Sequence, residues 1–413
     1  MTKLNAAKKI YLPYMCDHAL ALGAALNAMG VPAEVLPPPD GETLAIGREL
    51  CLGRECLPVF VATGDILRRA RQPDFDPVRS VLFMPTTCGP CRFGQYRTLQ
   101  RLLLDEQGLH ELEIISPNAA NGYQGLGDKP LPLRRLAWQG IVGVDLLRKL
   151  CHQVRPYERT AGEADRAYAE ALDRLLAAIR QGGGQQAARA IATAMAWAGE
   201  RFAAIETDCS EPRPWIGIVG EIYLRANPFT NQEIVRQVEG LGGRVWVAPM
   251  LEWFYFTLWG AQASARSAHR IGDWLKALLT EQVQRYDEAR MLRPLEGQLT
   301  FPHESPVAEL MANTRPYYEP LLGTEAALSI GKSIDFYRHG LCGVINLLPF
   351  SCMPGIVVMG LSSAIRADHA PLPWLDVIYD AQGGTNIHTR LEAFMYQARQ
   401  LQAARDRDAR KQP

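Results

Sequence analysis

The chain has 413 residues, enough for two or three domains of ordinary size. Apolar residues make up 47% and charged residues 21%, the balance of a chain with well-filled cores. Lys plus Arg and Asp plus Glu both number 44, which argues against a phosphate-tracking surface and so against a dedicated nucleic-acid binder.

The opening run, MTKLNAAKKIYLPYM, passes straight into a strand pattern with no secretory core or small-residue cleavage site, and no later stretch approaches the ~20 apolar residues of a membrane span. The expectation is a cytoplasmic protein without a membrane partner. KIYLPYM (9–15) reads as a strand and is followed by an Ala/Leu-rich helix from about His18 to Met29, which Gly30 stops. VPAEVLP resumes an extended run. VRSVLFMP (78–85) is the next strand, then a break over 86–92, a helix near Tyr96–Glu106, and LEIISP (112–117) as a further strand.

Residues 146–206 change to helical spacing rich in Ala, Arg and Leu, interrupted at Gly182–Gly184 between two helices. The alternation returns with WIGIVGEIY as a strand, TNQEIVRQVEGLG as a helix and GRVWVAP as a strand; Thr230 or Asn231 is the candidate cap of that helix. Residues 257–295 look helical. GLCGVINLLPF (340–350) is a buried strand, SCMPG a breaker run, 357–366 a helix, LPWLDVIYD (372–380) a strand, and TRLEAFMYQARQLQAARD the last helix. This pattern predicts an α/β fold of two Rossmann-like parallel-sheet lobes with helical linking segments. The boundaries are 1–145 for an N-terminal cluster-binding lobe, 146–206 for the helical linker, 207–403 for a C-terminal lobe with a helical insertion (about 257–335), and 404–413 for a charged, frayed tail.

Nine cysteines stand at 16, 51, 56, 88, 91, 151, 209, 342 and 352. An odd count without a signal segment is a poor disulfide framework. Cys51/Cys56, Cys88/Cys91 and Cys342/Cys352 form close pairs, and clustered thiols in a reducing compartment point to metal or redox chemistry. In TTCGPCRFGQY (86–96), two thiols share a Gly-Pro turn just ahead of a helix, where amides and Arg92 would stabilise a negatively charged thiolate-bound cluster. SCMPG (351–355) repeats the design with Cys352, and GRECLP (53–58) supplies Cys56. Ligands of open α/β sheets bind beyond the carboxyl ends of strands, where these turns fall. Zinc is the competing metal; a single C-x2-C without a second knuckle favours an iron–sulfur cluster, but spacing does not separate the two. Cys16, Cys151 and Cys209 read as packing residues, and His18, His339 and His388 as structural or exposed.

Several motifs are missing. SIGKS (329–333) has Ala326 where the first glycine of a phosphate loop must stand, so Lys332 reads as a surface or helix-start residue. Neither lobe opens with G-x-G-x-x-G, and H-E-x-x-H and G-x-S-x-G do not occur, which leaves nicotinamide binding, zinc proteolysis and serine hydrolysis without support.

GRECLPVFVATGDIL (53–67), FMPTTCGPCRFGQYRTLQ (83–100), GIVGEIYLRANPFTNQEIVRQVEGLGG (217–243) with EWFYF (252–256), and INLLPFSCMPG (345–355) resemble the 2-hydroxyacyl-CoA dehydratase / benzoyl-CoA reductase superfamily. The resemblance runs from about 8 to 400 and is closer to the dehydratase-like C-terminal part of fused CoA-enzyme activases and to double-cubane cluster proteins. It implies an oxygen-sensitive iron–sulfur protein whose Rossmann-like lobes pack around the cluster. It further implies low-potential electrons from a separate ATP-hydrolysing activator with its own 4Fe–4S cluster, a small-molecule or acyl-CoA substrate, and a homo- or heterodimer. By the same resemblance, Cys56, Cys91 and Cys352 are the three ligands of a 4Fe–4S cluster with an open iron. Cys51, Cys88 and Cys342 would complete six thiols for a double-cubane 8Fe–9S cluster. Arg92, Gln95, Tyr96, Glu221, Arg225 and Asn227 would face the cluster or substrate cavity. No catalytic residue is assigned. The expected function is an iron–sulfur reductase or dehydratase-type component; the alternative is a non-catalytic electron-transfer or cluster-carrier subunit.

Overall fold

The computed structural model describes residues 8–87, 89–117, 130–382 and 387–409. Apolar runs of three to seven residues become the strands, and the Ala/Leu-periodic stretches between them become helices. In chain order the first part comprises β1 (Lys9–Leu12), α1 (Asp17–Ala28), β2 (Ala33–Val35), α2 (Gly41–Leu50), α3 (Leu57–Ala70), β3 (Ser80–Phe83), α4 (Tyr96–Glu106) and β4 (Glu113–Ile115). Three long helices follow: α5 (Pro130–Val154), α6 (Glu163–Arg180) and α7 (Gln185–Ala203). The remainder comprises β5 (Trp215–Gly220), α8 (Ile222–Ala226), α9 (Ile234–Gly240), β6 (Arg244–Val247), α10 (Leu251–Ser267), α11 (Ile271–Leu292) and α12 (Val307–Thr314). It continues with α13 (Glu325–Arg338), β7 (Gly343–Pro349), α14 (Met353–Asp368), β8 (Trp374–Tyr379) and α15 (Ile387–Ala409).

The chain divides into two compact units, Met1–Val144 with Ala171–Met195 and Asp145–Glu170 with Ala196–Pro413. Each holds one four-stranded, all-parallel sheet. The strand orders, β2-β1-β3-β4 and β6-β5-β7-β8, are the same topology used twice. The expected α/β architecture with two parallel-sheet lobes is therefore present. In both sheets the chain leaves the first strand to one side, then crosses back to build the third and fourth on the other. That reversal sets a topological switch point between β1 and β3, and another between β5 and β7.

Local chemistry moves several boundaries. The strand expected over 215–223 stops at Gly220, because Glu221 caps α8 by accepting from the Leu224 N–H at 2.8 Å. The helix expected from 257 starts at Leu251, where the Asp145 carboxylate accepts from the Met250 and Leu251 amides. EWFYF is thus helical. The helix expected near 357 starts at Met353, since Pro354 in a first turn forfeits no intrahelical bond. Asn231 Oδ1 accepts from Ile234 N at 3.3 Å ahead of α9, whose N-cap position is taken by Glu233 in the left-handed region. No helix among the described residues is long and apolar enough to cross a membrane.

In the second unit, the ring of Phe336 of α13 packs against Gly217, and a side chain there would overlap it. Val344 joins Phe336 in the same core cluster, while its neighbour Gly343 meets the Phe394 ring of α15, so β7 is covered on both faces. Gly220 ends β5 at φ +113°, and a Cβ on it would sit 2.0 Å from the Leu347 carbonyl oxygen of β7. Gly220→Ala is expected to cost about 2–4 kcal/mol from left-handed strain plus overpacking; chemical denaturation measures it, and a loss below ~1 kcal/mol would show that the β5–β7 junction yields easily.

Candidate functional site

The carboxyl ends of β1 and β3 begin the loops that carry Cys16 and Cys91. Beyond β1, Cys16 occupies the N-cap position of α1 with its sulfur 3.2 Å from His18 Nδ1; both residues are buried, and the Tyr14 hydroxyl donates to Asp17 alongside. Beyond β3 the loop reaches Cys91, the N-cap of a single 3-10 turn over Arg92–Gln95 that leads into α4. Cys56 reaches the same neighbourhood from another element, as N-cap of α3. Its sulfur lies 2.7 Å from the hydroxyl of Tyr96, the buried first residue of α4. Arg92 donates to the Arg54 carbonyl at 2.8 Å, and the Phe93 and Tyr96 rings meet edge to face. The 54–56 and 91–96 segments are therefore fastened together by a guanidinium and a phenol. Of the expected cavity residues here, Tyr96 touches a candidate ligand sulfur and Arg92 braces the loop that bears it.

The second unit repeats this arrangement beyond β7. Ser351 adopts φ +57°, which turns the chain sharply, and the Cys352 amide donates to the Pro349 carbonyl at 3.0 Å. Cys352 is then the N-cap of α14, with Pro354 two residues on, as Pro58 follows Cys56. All three expected ligands share a local geometry. Their φ lies between −65° and −78° and their ψ between 117° and 147°, and none spends its sulfur on capping the helix that follows. Each thus presents a sulfur at a helical N-terminus, where unpaired amides carry partial positive charge. That donor chemistry fits a thiolate-bound, net negative cluster.

The partner thiols behave differently. Cys51 is the buried C-cap of α2, where burial and then the nearby Glu55 and Cys56 push its thiol up to about 12. Cys342 is buried just ahead of β7, and burial raises its thiol as well. Seven strand residues separate it from the turn that holds Cys352, so the two sulfurs lie at opposite ends of the sheet, roughly 20 Å apart. The expectation that Cys342 and Cys352 form a ligand pair is corrected on that ground. Cys88 lies outside the described residues. Among the described residues no group of three or more His, Cys, Asp and Glu side chains is arranged to hold a metal ion. Cys151 is buried, in line with packing, whereas Cys209 is exposed.

Beyond β5, the position that Cys16 takes beyond β1 is held by Glu221. Its amide donates to the Leu347 carbonyl of β7 at 2.9 Å, which seats it beside the strand leading to Cys352. Glu221 keeps a partly exposed side. Burial of the carboxyl, reinforced by the charge of Glu325, pushes it up to about 7. Arg225 is buried and donates to the Pro249 carbonyl at 3.1 Å; burial lowers it, against the pull of Glu252, Asp145, Glu325 and Glu221. Asn227 organises the NPFTN loop: its Oδ1 accepts from Thr230 N at 3.0 Å, while Asn231 Nδ2 donates to the Leu224 carbonyl and the Tyr379 hydroxyl to the Asn231 carbonyl.

Deeper in this unit lies an ionic cluster that sequence reasoning missed. Lys332 is fully buried in mid-helix, a correction to its reading as a surface residue. Its ammonium lies 2.8 Å from Glu252, 2.5 Å from Glu304 and 3.1 Å from Asp335, and over the face of Trp246. Lys149 approaches Glu304 at 2.5 Å and the same ring at 4.7 Å. Burial works against the Lys332 charge, but the three carboxylates outweigh it and hold it protonated. Burial would raise Glu304 too, yet Lys149 and Lys332 take it down to about 2. Glu252, with a smaller share of the cations, is pushed by burial up to about 7. A signal was present: α13 reads EAALSIGKSIDFYR, apolar or small on nearly every side, and such a helix buries any charge it carries.

Glu221 and Glu252, like Glu325, whose carboxyl burial also raises, bind protons in the folded chain that the unfolded chain releases. Their contribution to stability is therefore present at low pH and declines as pH rises from about 4.3 towards 7. No family model matches the chain, and no curated protein matches it.

Removing the central cation tests the cluster. Lys332→Met should cost about 3–5 kcal/mol at neutral pH, since it strands buried carboxylates, and the deficit should shrink in acid as they protonate. Urea unfolding at two pH values reads both effects. A loss under ~1 kcal/mol, independent of pH, would mean that the lysine does not hold the group together.

Proposed function

We propose that this chain is an iron–sulfur reductase or dehydratase-type component that acts on a small-molecule or acyl-CoA substrate. The thiolates of Cys56, Cys91 and Cys352 hold a 4Fe–4S cluster. The observation that carries the reading is the repeated N-cap cysteine: three sulfurs from separate segments, each at a helical start and none used in capping. Packing alone gives no reason to leave three thiols in that position, because Ser, Thr, Asn or Asp caps a helix better. The resemblance of the surrounding motifs to the 2-hydroxyacyl-CoA dehydratase / benzoyl-CoA reductase superfamily supports the same ligand set. It also supports a separate ATP-hydrolysing activator as the source of electrons.

When bound, such a cluster supplies an electron at low potential and an iron coordination position left open by three-thiolate ligation. The chain's own residues hold and shield it. Tyr96 hydrogen-bonds the Cys56 sulfur, and Arg92 fixes the loop ahead of it. Partners of this kind tune potential and ligand orientation. Cys342, at the far end of β7, does not join this set, so the reading is of one cubane rather than a double cubane with six thiolates.

Anaerobic purification with iron, acid-labile sulfide and zinc analysis tests this directly. About four irons and four sulfides per chain are expected for one cubane. Cys91→Ser and Cys352→Ser should lose most of the cluster's visible absorption, while Cys209→Ser, at an exposed position, should keep it. Zinc without sulfide, or equal retention in all three variants, overturns the assignment.

A further inference from the structure

A surface helix packed on its own chain normally turns apolar side chains inward and polar ones to water. In α11 only part of the helix obeys: Ala277, Met291 and Leu292 are buried in the usual way. Elsewhere the pattern is inverted. Towards α10 it offers carboxylates, with the Gln262 amide donating to Glu281 at 2.7 Å and the Tyr255 hydroxyl to Glu288 at 2.5 Å, while the Arg285 guanidinium stands over the Tyr255 ring. Towards water it offers Ile271, Leu275, Leu279, Val283 and Tyr286, of which Ile271, Leu279 and Tyr286 are 69%, 68% and 62% exposed. Scattered apolar residues on a surface need no explanation; these are in register. Gly272, Leu275, Leu279, Gln282, Tyr286 and Ala289 follow one another at intervals of three and four, and every one is exposed. That is the spacing of a helix–helix seam. A Cβ on Gly272 would meet nothing within 4 Å, so nothing in this chain calls for a glycine there, although glycine weakens a helix.

We propose that α11 is the interface with a second copy of this chain, packed antiparallel across a two-fold axis at Leu279. The stripe is complementary to itself, as such an interface requires. With Leu279 meeting its own counterpart on the axis, Leu275 faces Val283 of the second copy, and the space beside Gly272 receives the Tyr286 ring. A ring set against a glycine, and aliphatic against aliphatic, interdigitate without voids. Lys276 falls opposite Gln282, so no like charges oppose each other there. The whole chain, with 44 basic and 44 acidic residues, sets no net repulsion against its own copy. The five apolar side chains expose on the order of 500 Å², the upper end for one patch on a monomer, and Lys276 and Gln282 at their margin bring the face towards the ~800 Å² that each partner buries in a stable complex. The longest stretch outside the described residues, NAANGYQGLGDK (118–129), has one leucine and one tyrosine, too few to cover a stripe of five.

Sedimentation equilibrium of the full chain at micromolar concentration, with and without reconstituted iron, tests the contact. The wild type should sediment at twice the chain mass in both states. Leu279→Arg, which sets two guanidinium groups against each other on the axis, should weaken association at least tenfold with an unchanged far-ultraviolet circular dichroism spectrum. Cross-linking fixes the arrangement. In a Cys209→Ser background, Leu279→Cys should form an inter-chain disulfide on mild oxidation, Leu275→Cys should not, and Leu275→Cys combined with Val283→Cys should. A monomeric wild type overturns the proposal and assigns the stripe to a different partner. A dimer indifferent to Leu279→Arg overturns it by placing the interface elsewhere, and equal cross-linking at 275 and 279 overturns the antiparallel two-fold. Iron and sulfide content bear on the cluster reading alone, so the two can fail separately.

Discussion

A parallel strand cannot be joined to its neighbour by a tight turn; the chain must travel back over the sheet before it can add the next one. Every strand therefore ends at the same edge, and whatever follows each strand is delivered there together. In this protein the rule is applied twice with the same strand order. The third strand of each sheet delivers a cysteine that starts a helical turn, Cys91 after β3 and Cys352 after β7. The first strand of each delivers an N-capping residue at the switch point, Cys16 after β1 and Glu221 after β5. Chemistry gathers at these edges because the backbone leaves it no other place, and the close approach of Gly220 to Leu347 brings the two loops of the second sheet together.

The buried ions of the second unit meet a different constraint. Three cations, Lys149, Arg225 and Lys332, stand among Glu221, Glu252, Glu304, Glu325 and Asp335. Removing so many charges from water is unfavourable unless each finds partners in good geometry. The structure meets that requirement unevenly. Glu304, held by two lysines, stays ionised at all ordinary pH, while Glu252 and Glu221 relieve the remaining imbalance by taking up protons near neutrality. Well-packed apolar residues in place of such a group are often no less stabilising, so the charges are not explained by stability alone.

Much of the fold was legible from residue pattern. Alternating apolar runs and Ala/Leu-rich segments gave the strand–helix order, and α4 occupies Tyr96–Glu106 as the sequence suggested. What escaped was decided by tertiary partners. Asp145 starts α10 from 105 residues away, and nothing near Leu251 in sequence announces it. Cys342 and Cys352 are close along the chain, but strand geometry carries them to opposite ends of the sheet. The candidate ligands Cys56, Cys91 and Cys352 were readable because Gly and Pro beside a thiol mark a turn, although Cys56 and Cys352 are themselves buried. Glu304 and Glu325 were not, since a single glutamate in a polar stretch looks the same whether it faces water or a buried lysine.

The repeated topology adds a comparison that neither unit offers alone. At the third-strand position both units keep cysteine, so the demand there is for sulfur. At the first-strand position one unit has Cys16 beside His18, and the other has Glu221 beside Glu325 and Arg225. The two sheets therefore agree on a sulfur after the third strand and part company after the first, where one sets a thiol against an imidazole and the other a carboxylate that caps the next helix. A shared strand order fixes where these side chains stand, and the residue type at each corner decides what chemistry stands there.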